Sequence, residues 1–174
     1  MAGGAPRSNK GVRLPDLSSI KRDPAAELGG VWIDFEEIKG IRFKVARMRN
    51  PRYVRRLDDL ISPIRGAWNA GTVPEEEYKR TIDTAASETI LVDWDGIEEF
   101  GSNGDLVPVP YSTTKSFEYM SAPEYADVRA WVMYHSTLGA NYLASARKAA
   151  LGNSHGSSSG TPSTETASNS SAAA

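Results

Sequence analysis

The sequence has no cysteine among its 174 residues and contains only two histidines. Without thiols the chain cannot form disulfides or thiolate metal sites, and two histidines alone do not make a zinc site. We therefore expect no metal ion and no cofactor. The absence of cysteine also fits a reducing compartment.

The chain also lacks long hydrophobic runs. No stretch approaches the roughly 20 apolar residues that a membrane helix requires, and the first thirty residues contain no apolar run of signal-peptide length. We therefore expect a soluble protein that is not secreted and does not enter a membrane. With 40% hydrophobic residues and a net charge of -2, the chain is long enough for one domain with a core, and a second domain is not expected.

Both ends of the chain are poor in residues that build a core. Residues 1–28 are rich in Gly, Pro, Ser and charged residues, and residues 152–174 consist mainly of Gly, Ser, Thr, Asn and Ala. These compositions predict a flexible N-terminal arm and a disordered C-terminal tail. Between them, residues 29–151 are predicted to form a single, mostly helical domain.

The predicted domain begins with a period of two. Apolar residues alternate with other residues from Val31 to Phe35 and again from Ile41 to Val45, and a turn that ends at Gly40 separates the two runs. This pattern predicts a β-hairpin over residues 31–46. Because an isolated hairpin is only marginally stable in water, its apolar face must pack on the helices that follow.

Helical spacing replaces the alternation after the hairpin. Asn50 and Pro51 are suited to cap and begin a first helix. Its apolar positions are Tyr53, Leu57, Leu60, Ile61, Ile64 and Trp68. Pro63 lies inside this pattern and removes one helical hydrogen bond, so we expect a kink or a break near Ser62.

Two further helices are predicted from capping-box patterns. Thr72-Val-Pro-Glu75 and Ser121-Ala-Pro-Glu124 each place a hydroxyl three residues before a glutamate. The last helix is expected to continue to about Ala146, and a short helix over residues 113–120 is expected to precede it. The predicted fold class is therefore mainly α with a small N-terminal β-hairpin, an α+β domain.

The stretch ILVDWDGIEEFGSNGDLVPVPYS, residues 90–112, connects these predicted helices. We expect it to act as a structural hinge that buries its apolar residues and leaves its acids in water, with Ser112 capping the next helix. Its segments Val92-Asp-Trp94-Asp-Gly96-Ile97 and Val109-Pro-Tyr111-Ser112 resemble the tail assembly chaperones of long-tailed double-stranded DNA bacteriophages. The resemblance extends roughly from Gly30 to Leu151.

The resemblance implies a protein without enzymatic activity or catalytic residues. Members of that family coat the tape measure protein in the host bacterial cytoplasm, keep it soluble until the tail tube polymerises around it, and are absent from the mature virion. Many also occur in a longer form, made by programmed frameshifting, whose extra domain recruits the tail tube protein. The low-complexity tail over residues 152–174 is similar to the linker that precedes such an extension.

Three possible chemical sites are rejected from the residues themselves. His135 has no nucleophile or orienting carboxylate that spacing alone supplies. The acids around Asp95 do not fit the calcium-loop pattern, because Gly96 follows the second acid directly. The segment Gly101-Ser-Asn-Gly104 lacks the Gly-Lys-Ser/Thr ending of a phosphate loop, so we interpret it as a turn.

Charged residues are segregated along the chain. Eight basic residues and no acid lie between Lys39 and Arg56, whereas ten acids and two basic residues lie between Glu75 and Asp105. Three explanations remain open: an ordinary solvated surface, a complementary protein surface, and a phosphate-binding face. If the two signs form opposite faces, copies of the chain could associate head to tail into rings or filaments.

The candidate partner-binding residues follow from these patterns. Three tryptophans are candidates for an apolar groove between the capped helices, although each also suits a core, and charged residues from the two segregated segments border it. The set is Trp68, Trp94, Trp131, Arg47, Arg52, Arg55, Arg56, Asp93, Asp95, Glu98 and Glu99. An amphipathic helix of the partner would bind such a groove.

Two alternative functions remain. One is a structural tail component, a tail terminator or a head-tail connector, which would stay in the mature particle. The other is a small DNA-binding regulator that uses the arginines at positions 47, 49, 52, 55 and 56. The acidic overall charge and the lack of an aromatic-interleaved basic groove argue against nucleic acid.

Overall fold

A computed structural model describes residues 17–145, so most of the predicted N-terminal arm and the whole predicted tail lie outside the described residues. The helices are α1 (Pro24–Gly29), α2 (Pro51–Ile61), α3 (Arg65–Ala70), α4 (Glu75–Thr89), α5 (Thr113–Ser121) and α6 (Ala126–Thr137). The strands are β1 (Val31–Asp34), β2 (Arg42–Val45), β3 (Leu91–Asp95), β4 (Glu98–Phe100) and β5 (Leu106–Pro108). Short 3-10 helices cover Leu17–Ile20, Ser62–Ile64, Pro123–Tyr125 and Gly139–Tyr142. The predicted α+β fold class is confirmed.

Strands β1 and β2 form the predicted hairpin, and β3 adds a third antiparallel strand. Phe43 lies opposite Ile33 on one side and opposite Trp94 on the other, so one face of the sheet is apolar. Sequence analysis treated the β3 segment as a hinge rather than as a strand. Its alternation is short and mixed with acids, and only the pairing with β2 makes it extended.

A glycine after β3 packs closely against the β1–β2 turn at the same end of the sheet. Gly96 has a φ of 81°, and a Cβ on it would lie 2.1 Å from the carbonyl oxygen of Gly40 in the β1–β2 turn. No side chain fits this contact, and the left-handed backbone also disfavours any residue other than glycine. The glycine of the Trp94-Asp-Gly96 pattern therefore has a steric reason, which is its close contact with the β1–β2 turn.

The start and the break of the first predicted helix are confirmed. The Asn50 side chain accepts hydrogen bonds from the amides of Arg52 and Tyr53, and Pro51 occupies the first turn. Helix α2 ends at Ile61 and continues as a 3-10 turn that contains Pro63, after which α3 begins. Ser112 caps α5 through the amide of Lys115, as expected.

The two predicted capping boxes do not form, which corrects the sequence analysis. The Thr72 hydroxyl donates instead to the carbonyl of Ala67, and the Ser121 hydroxyl donates to the carbonyl of Phe117. Each hydroxyl therefore binds a backbone carbonyl of the preceding helix, and neither α4 nor α6 has a side-chain cap. The local pattern was ambiguous because a serine or threonine between two helices can bond in either direction.

Helix α6 is shorter than predicted. It ends at Thr137, before Gly139, and the chain turns back to the N-terminal region, where Tyr142 is fully buried and donates to the carbonyl of Val45. The amide of Asp23 donates to the carbonyl of Tyr142. The described part of the predicted flexible arm thus contains α1, which is held by this returning segment.

The core lies between the apolar face of the sheet and helices α4, α5 and α6. Phe35 and Phe43 meet the ring of Trp131 from α6, with centroids 5.4 and 5.6 Å away. Ile90, Leu91, Met120 and Val132 are fully buried. The hairpin therefore packs on the helices, as predicted. This contact forms the centre of the core.

A charged cluster joins three helices beneath this core. The Asp83 side chain on α4 is 1% exposed and accepts hydrogen bonds from Lys79 at 3.1 Å and from Arg129 of α6 at 2.6 Å. Lys79 also donates to the carbonyl of Ser121 at the end of α5. Asp83 lines a cleft of about 760 Å³ whose other residues are mostly charged or polar residues of α4. Because the carboxylate is paired and the cleft is polar, we assign this cluster a structural role.

Candidate partner-binding surface

The two segments that carry the phage resemblance bind each other directly. The indole nitrogen of Trp94 donates to the carbonyl of Val109 at 2.7 Å, and the Tyr111 hydroxyl donates to the carbonyl of Leu91 at 3.0 Å. The two rings pack edge to face with centroids 4.8 Å apart. Trp94 is only 6% exposed. The resemblance therefore describes an internal lock, which we call the Trp94 lock, rather than a contact surface.

The structure does not bring the three candidate tryptophans together. Trp131 is 9% exposed, packs in the core and donates to the carboxylate of Glu36 at 2.9 Å. Trp68 on α3 is half-buried and stacks on Tyr78 of α4, with centroids 4.8 Å apart. Trp94 and Trp131 are thus core residues: Trp94 lies on β3 of the sheet, and Trp131 lies on α6, which packs against that sheet. Only Trp68 retains a side open to solvent.

The candidate arginines divide into paired and unpaired residues. Arg47 forms an ion pair with Glu27, and Arg56 binds Glu88 of α4 with an N–O distance of 3.0 Å. Arg52 and Arg55 on α2 are exposed, and neither has an ion-pair partner within residues 17–145.

The candidate acids divide in the same way. Asp95 binds Arg42 across the sheet at 2.8 Å, and Asp93 is half-buried opposite Lys44. Glu99 accepts hydrogen bonds from Lys115 at 2.8 Å and from the Tyr119 hydroxyl at 2.7 Å. The Lys115 and Tyr119 hydrogen bonds hold the pKa of Glu99 below its usual value. Glu98 is exposed.

The basic and the acidic segments of the sequence contact each other in the fold. Strand β2 from the basic segment pairs with β3 from the acidic segment, and α2 packs against α4 in the same way. The ion pairs of Arg42 and Arg56 neutralise charges of the two segments within the molecule. Contacts between the two segments therefore cancel part of the segregated charge, and unpaired charges remain locally.

Helix α2 and the segment directly before it line an apolar groove that sequence analysis did not identify. The groove has a volume of about 540 Å³. It is lined by Met48, Arg49, Tyr53, Val54, Leu57, Asp58 and Ile61. The only acid, Asp58, is bound by Arg65 at 2.7 Å, so the free charge at the groove is positive. The signal in the sequence was Val54, which is 53% exposed because it lies off the core stripe of its helix.

The β4–β5 hairpin exposes a pair of apolar side chains. Phe100 lies directly opposite Leu106, and these residues are 78% and 54% exposed. Side chains alternate along a strand, and Glu99 on the other face reaches α5, so Phe100 and Leu106 point away from the domain. The sequence signal was the apolar residues on both sides of the Gly-Ser-Asn-Gly turn, which we interpreted only as a turn.

His135 remains without a chemical partner in the structure. Its Nδ1 is buried and has no hydrogen-bond partner among residues 17–145, and its ring lies against that of Trp131 with centroids 4.0 Å apart. Burial lowers the pKa of His135 below its usual value. Within residues 17–145 no group of three or more metal-ligating side chains comes together, and no helix there is long and apolar enough to cross a membrane.

A protein-family model matches residues 48–153, which is more than half of the chain. That family is described as YdaY prophage protein. The chain belongs to the YdaY prophage protein family. It is therefore phage-derived, in agreement with the phage origin that the sequence resemblance implied. The match includes the α2 groove, the Trp94 lock and the β4–β5 hairpin, whereas strands β1 and β2 precede it. No curated protein and no solved structure matches the chain.

Proposed function

We propose that this prophage protein is a tail assembly chaperone that acts without catalysing a reaction. In this proposal it binds the tape measure protein in the host cytoplasm, keeps it soluble while the tail tube assembles, and is absent from the mature virion. Three observations support the proposal: the phage-derived family, the sequence resemblance of the Trp94 lock segments, and the open α2 groove. The groove is the observation that carries it.

The α2 groove has the features of a site for an amphipathic helix. Val54, Leu57 and Ile61 repeat at three- and four-residue intervals along α2 and present a continuous apolar strip. An apolar groove of this kind accepts a helix that presents residues at i, i+3, i+4 and i+7. Arg49 lines the groove just before α2 begins, and Arg52 and Arg55 are exposed on α2; these positive charges favour a partner helix with acidic flanks.

Co-expression with the tape measure protein of the same phage genome tests this function. We expect the wild-type chain to increase the soluble fraction of the tape measure protein and to co-purify with it. The Val54→Glu substitution should abolish both effects, because it places a charge in the apolar groove. Ile38→Asp is the matched control, since Ile38 is as exposed as Val54 but lies in the β1–β2 turn. If the tape measure protein stays equally insoluble with and without the wild-type chain, the proposal is wrong.

Mass spectrometry of purified particles separates this function from a structural tail component. A chaperone should be present in induced cells and absent from completed virions, whereas a tail terminator or connector should remain in them. The same cells test for a longer form, because an antibody against the domain would detect a second, larger product. Such a product would be the form that recruits the tail tube protein.

A further inference from the structure

The outward face of the β4–β5 hairpin is an apolar ridge with an acidic border. Phe100 and Leu106 form the ridge, Glu98 lies on the same face two residues before Phe100, and Asp105 lies at the turn. The hairpin contains no basic residue between positions 98 and 108. Neither acid has an ion-pair partner within the described part of the chain. Among residues 17–145 nothing covers this apolar ridge, and the residues at its border are negatively charged.

The α2 groove is its counterpart in shape and in charge. It is concave where the hairpin projects, and its floor is apolar. Its acid is neutralised by Arg65, and Arg49 lines it without an ion-pair partner among residues 17–145. Arg49 adopts a φ of 63°, a left-handed conformation that residues other than glycine rarely adopt. An exposed arginine therefore lines the apolar groove.

We propose that the β4–β5 hairpin of one copy docks into the α2 groove of a second copy of this chain. Phe100 and Leu106 fill the groove over Val54 and Leu57, while Glu98 and Asp105 face Arg49. The hairpin and the groove are different surfaces, so the contact is head to tail and either closes a ring or continues as a filament. An interface made by one hairpin falls below about 1,000 Å² and is reversible and dependent on concentration.

Two variants with complementary defects test the contact on the purified full chain. Phe100→Asp removes the ridge, and Val54→Glu blocks the groove. Both residues are exposed, so each variant should keep the wild-type fold, and circular dichroism is the check. We expect the average mass of the wild-type chain in light scattering to rise with concentration, and each variant to remain at the mass of one chain. An equimolar mixture should recover a species of two chains, because one variant retains the groove and the other retains the hairpin. The Ile38→Asp control should behave as wild type.

The partner helix of the proposed function and the hairpin of a second copy would occupy the same α2 groove, so the two contacts exclude each other. Light scattering of this chain alone tests the hairpin contact, and Phe100→Asp, which leaves the groove intact, should still solubilise the tape measure protein. A monomeric wild type, or a mixture that stays monomeric while the wild type associates, overturns the docking of hairpin into groove. Self-association that survives both substitutions places the interface elsewhere and also overturns it. The charge contribution has its own check: Arg49→Glu and Glu98→Arg should each weaken association, and the double variant should restore part of it.

Discussion

The Trp94 lock and the β4–β5 hairpin lie within the same 23-residue stretch, but the tryptophan of the lock is buried and the phenylalanine of the hairpin is exposed. Trp94 is covered by helices and by Tyr111, whereas Phe100, six positions later, is 78% exposed. Both residues lie in short antiparallel strands with acids beside them. The difference is the layer above: helices α4 to α6 cover the sheet of β3, while no described residue covers the outward face of the hairpin. Similar local sequence thus produces a core in one place and a contact surface in the other.

The largest expected difference between the two regions is in stability. Trp94→Ala should lower the free energy of unfolding by about 3–5 kcal/mol, because it leaves a cavity and an unsatisfied carbonyl at Val109. Phe100→Ala should change it by less than about 0.5 kcal/mol, since that ring is already in water. Urea unfolding of both variants measures the two values. Equal values would mean that the hairpin is covered by a segment outside residues 17–145 or by another copy.

A pair of glycines gives a smaller and more local contrast. Gly96 and Gly104 have φ values of 81° and 83°, but only at Gly96 would a Cβ collide with neighbouring backbone. Gly96→Ala should therefore cost about 1–3 kcal/mol more than Gly104→Ala, which carries the backbone strain alone. Thermal or urea unfolding of the two variants gives the difference. Equal losses would show that the turn after β3 does not close against Gly40.

Weakening the attachment of the β4–β5 hairpin to the domain should have a still smaller effect on the free energy of unfolding. Glu99→Gln weakens the hydrogen bonds to Lys115 and Tyr119 and should lower stability by less than about 1 kcal/mol, because the pair is partly exposed. The folded pKa of Glu99 is below its unfolded value, so this stabilisation is present above about pH 4.5 and decreases as the pH falls through the folded pKa. The protection factors of the β4 and β5 amides, which are corrected for the intrinsic pH dependence of exchange, should decrease in the variant and, for the wild type, in acid. Unchanged exchange would mean that the hairpin is held by other contacts.

The smallest expected effect belongs to His135 beneath the sheet. Its folded pKa is below the unfolded value of about 6.5. The unfolded chain therefore binds more protons below that pH, and the free energy of unfolding should decrease as the pH falls from about 6.5. Glu36 faces the ring and opposes this decrease. His135→Phe should remove this contribution to the pH dependence near pH 6.5, and identical pH profiles of the variant and the wild type would contradict this reason.

Prediction from sequence succeeded where the cause was local. The Asn50-Pro51 start of α2 and the break at Pro63 depend on a few neighbouring residues, and both are confirmed. The capping boxes failed although they were also local patterns, because Thr72 and Ser121 bond backward to the preceding helices. Strand β3 was missed because its partner, β2, is about fifty residues away in the chain.

The candidate site was less accessible to sequence reasoning. The tryptophans and the charged segments were correctly noticed as unusual, but burial of Trp94 and Trp131 and the pairing of Arg42 and Arg56 depend on which elements meet in space. The groove and the exposed ridge became visible only as residues that the fold left uncovered. An exposed apolar residue has no local pattern that distinguishes it from a buried one.

The sequence by itself determined the α+β class, the N-terminal hairpin, and the first helix with its break. These follow from backbone sterics and from hydrogen bonds between near neighbours. Only the tertiary structure decided which aromatic residues are core, which charges cancel, and which apolar surfaces remain open. These depend on contacts between segments far apart in the chain, because burial is a property of the assembled layers rather than of any one of them.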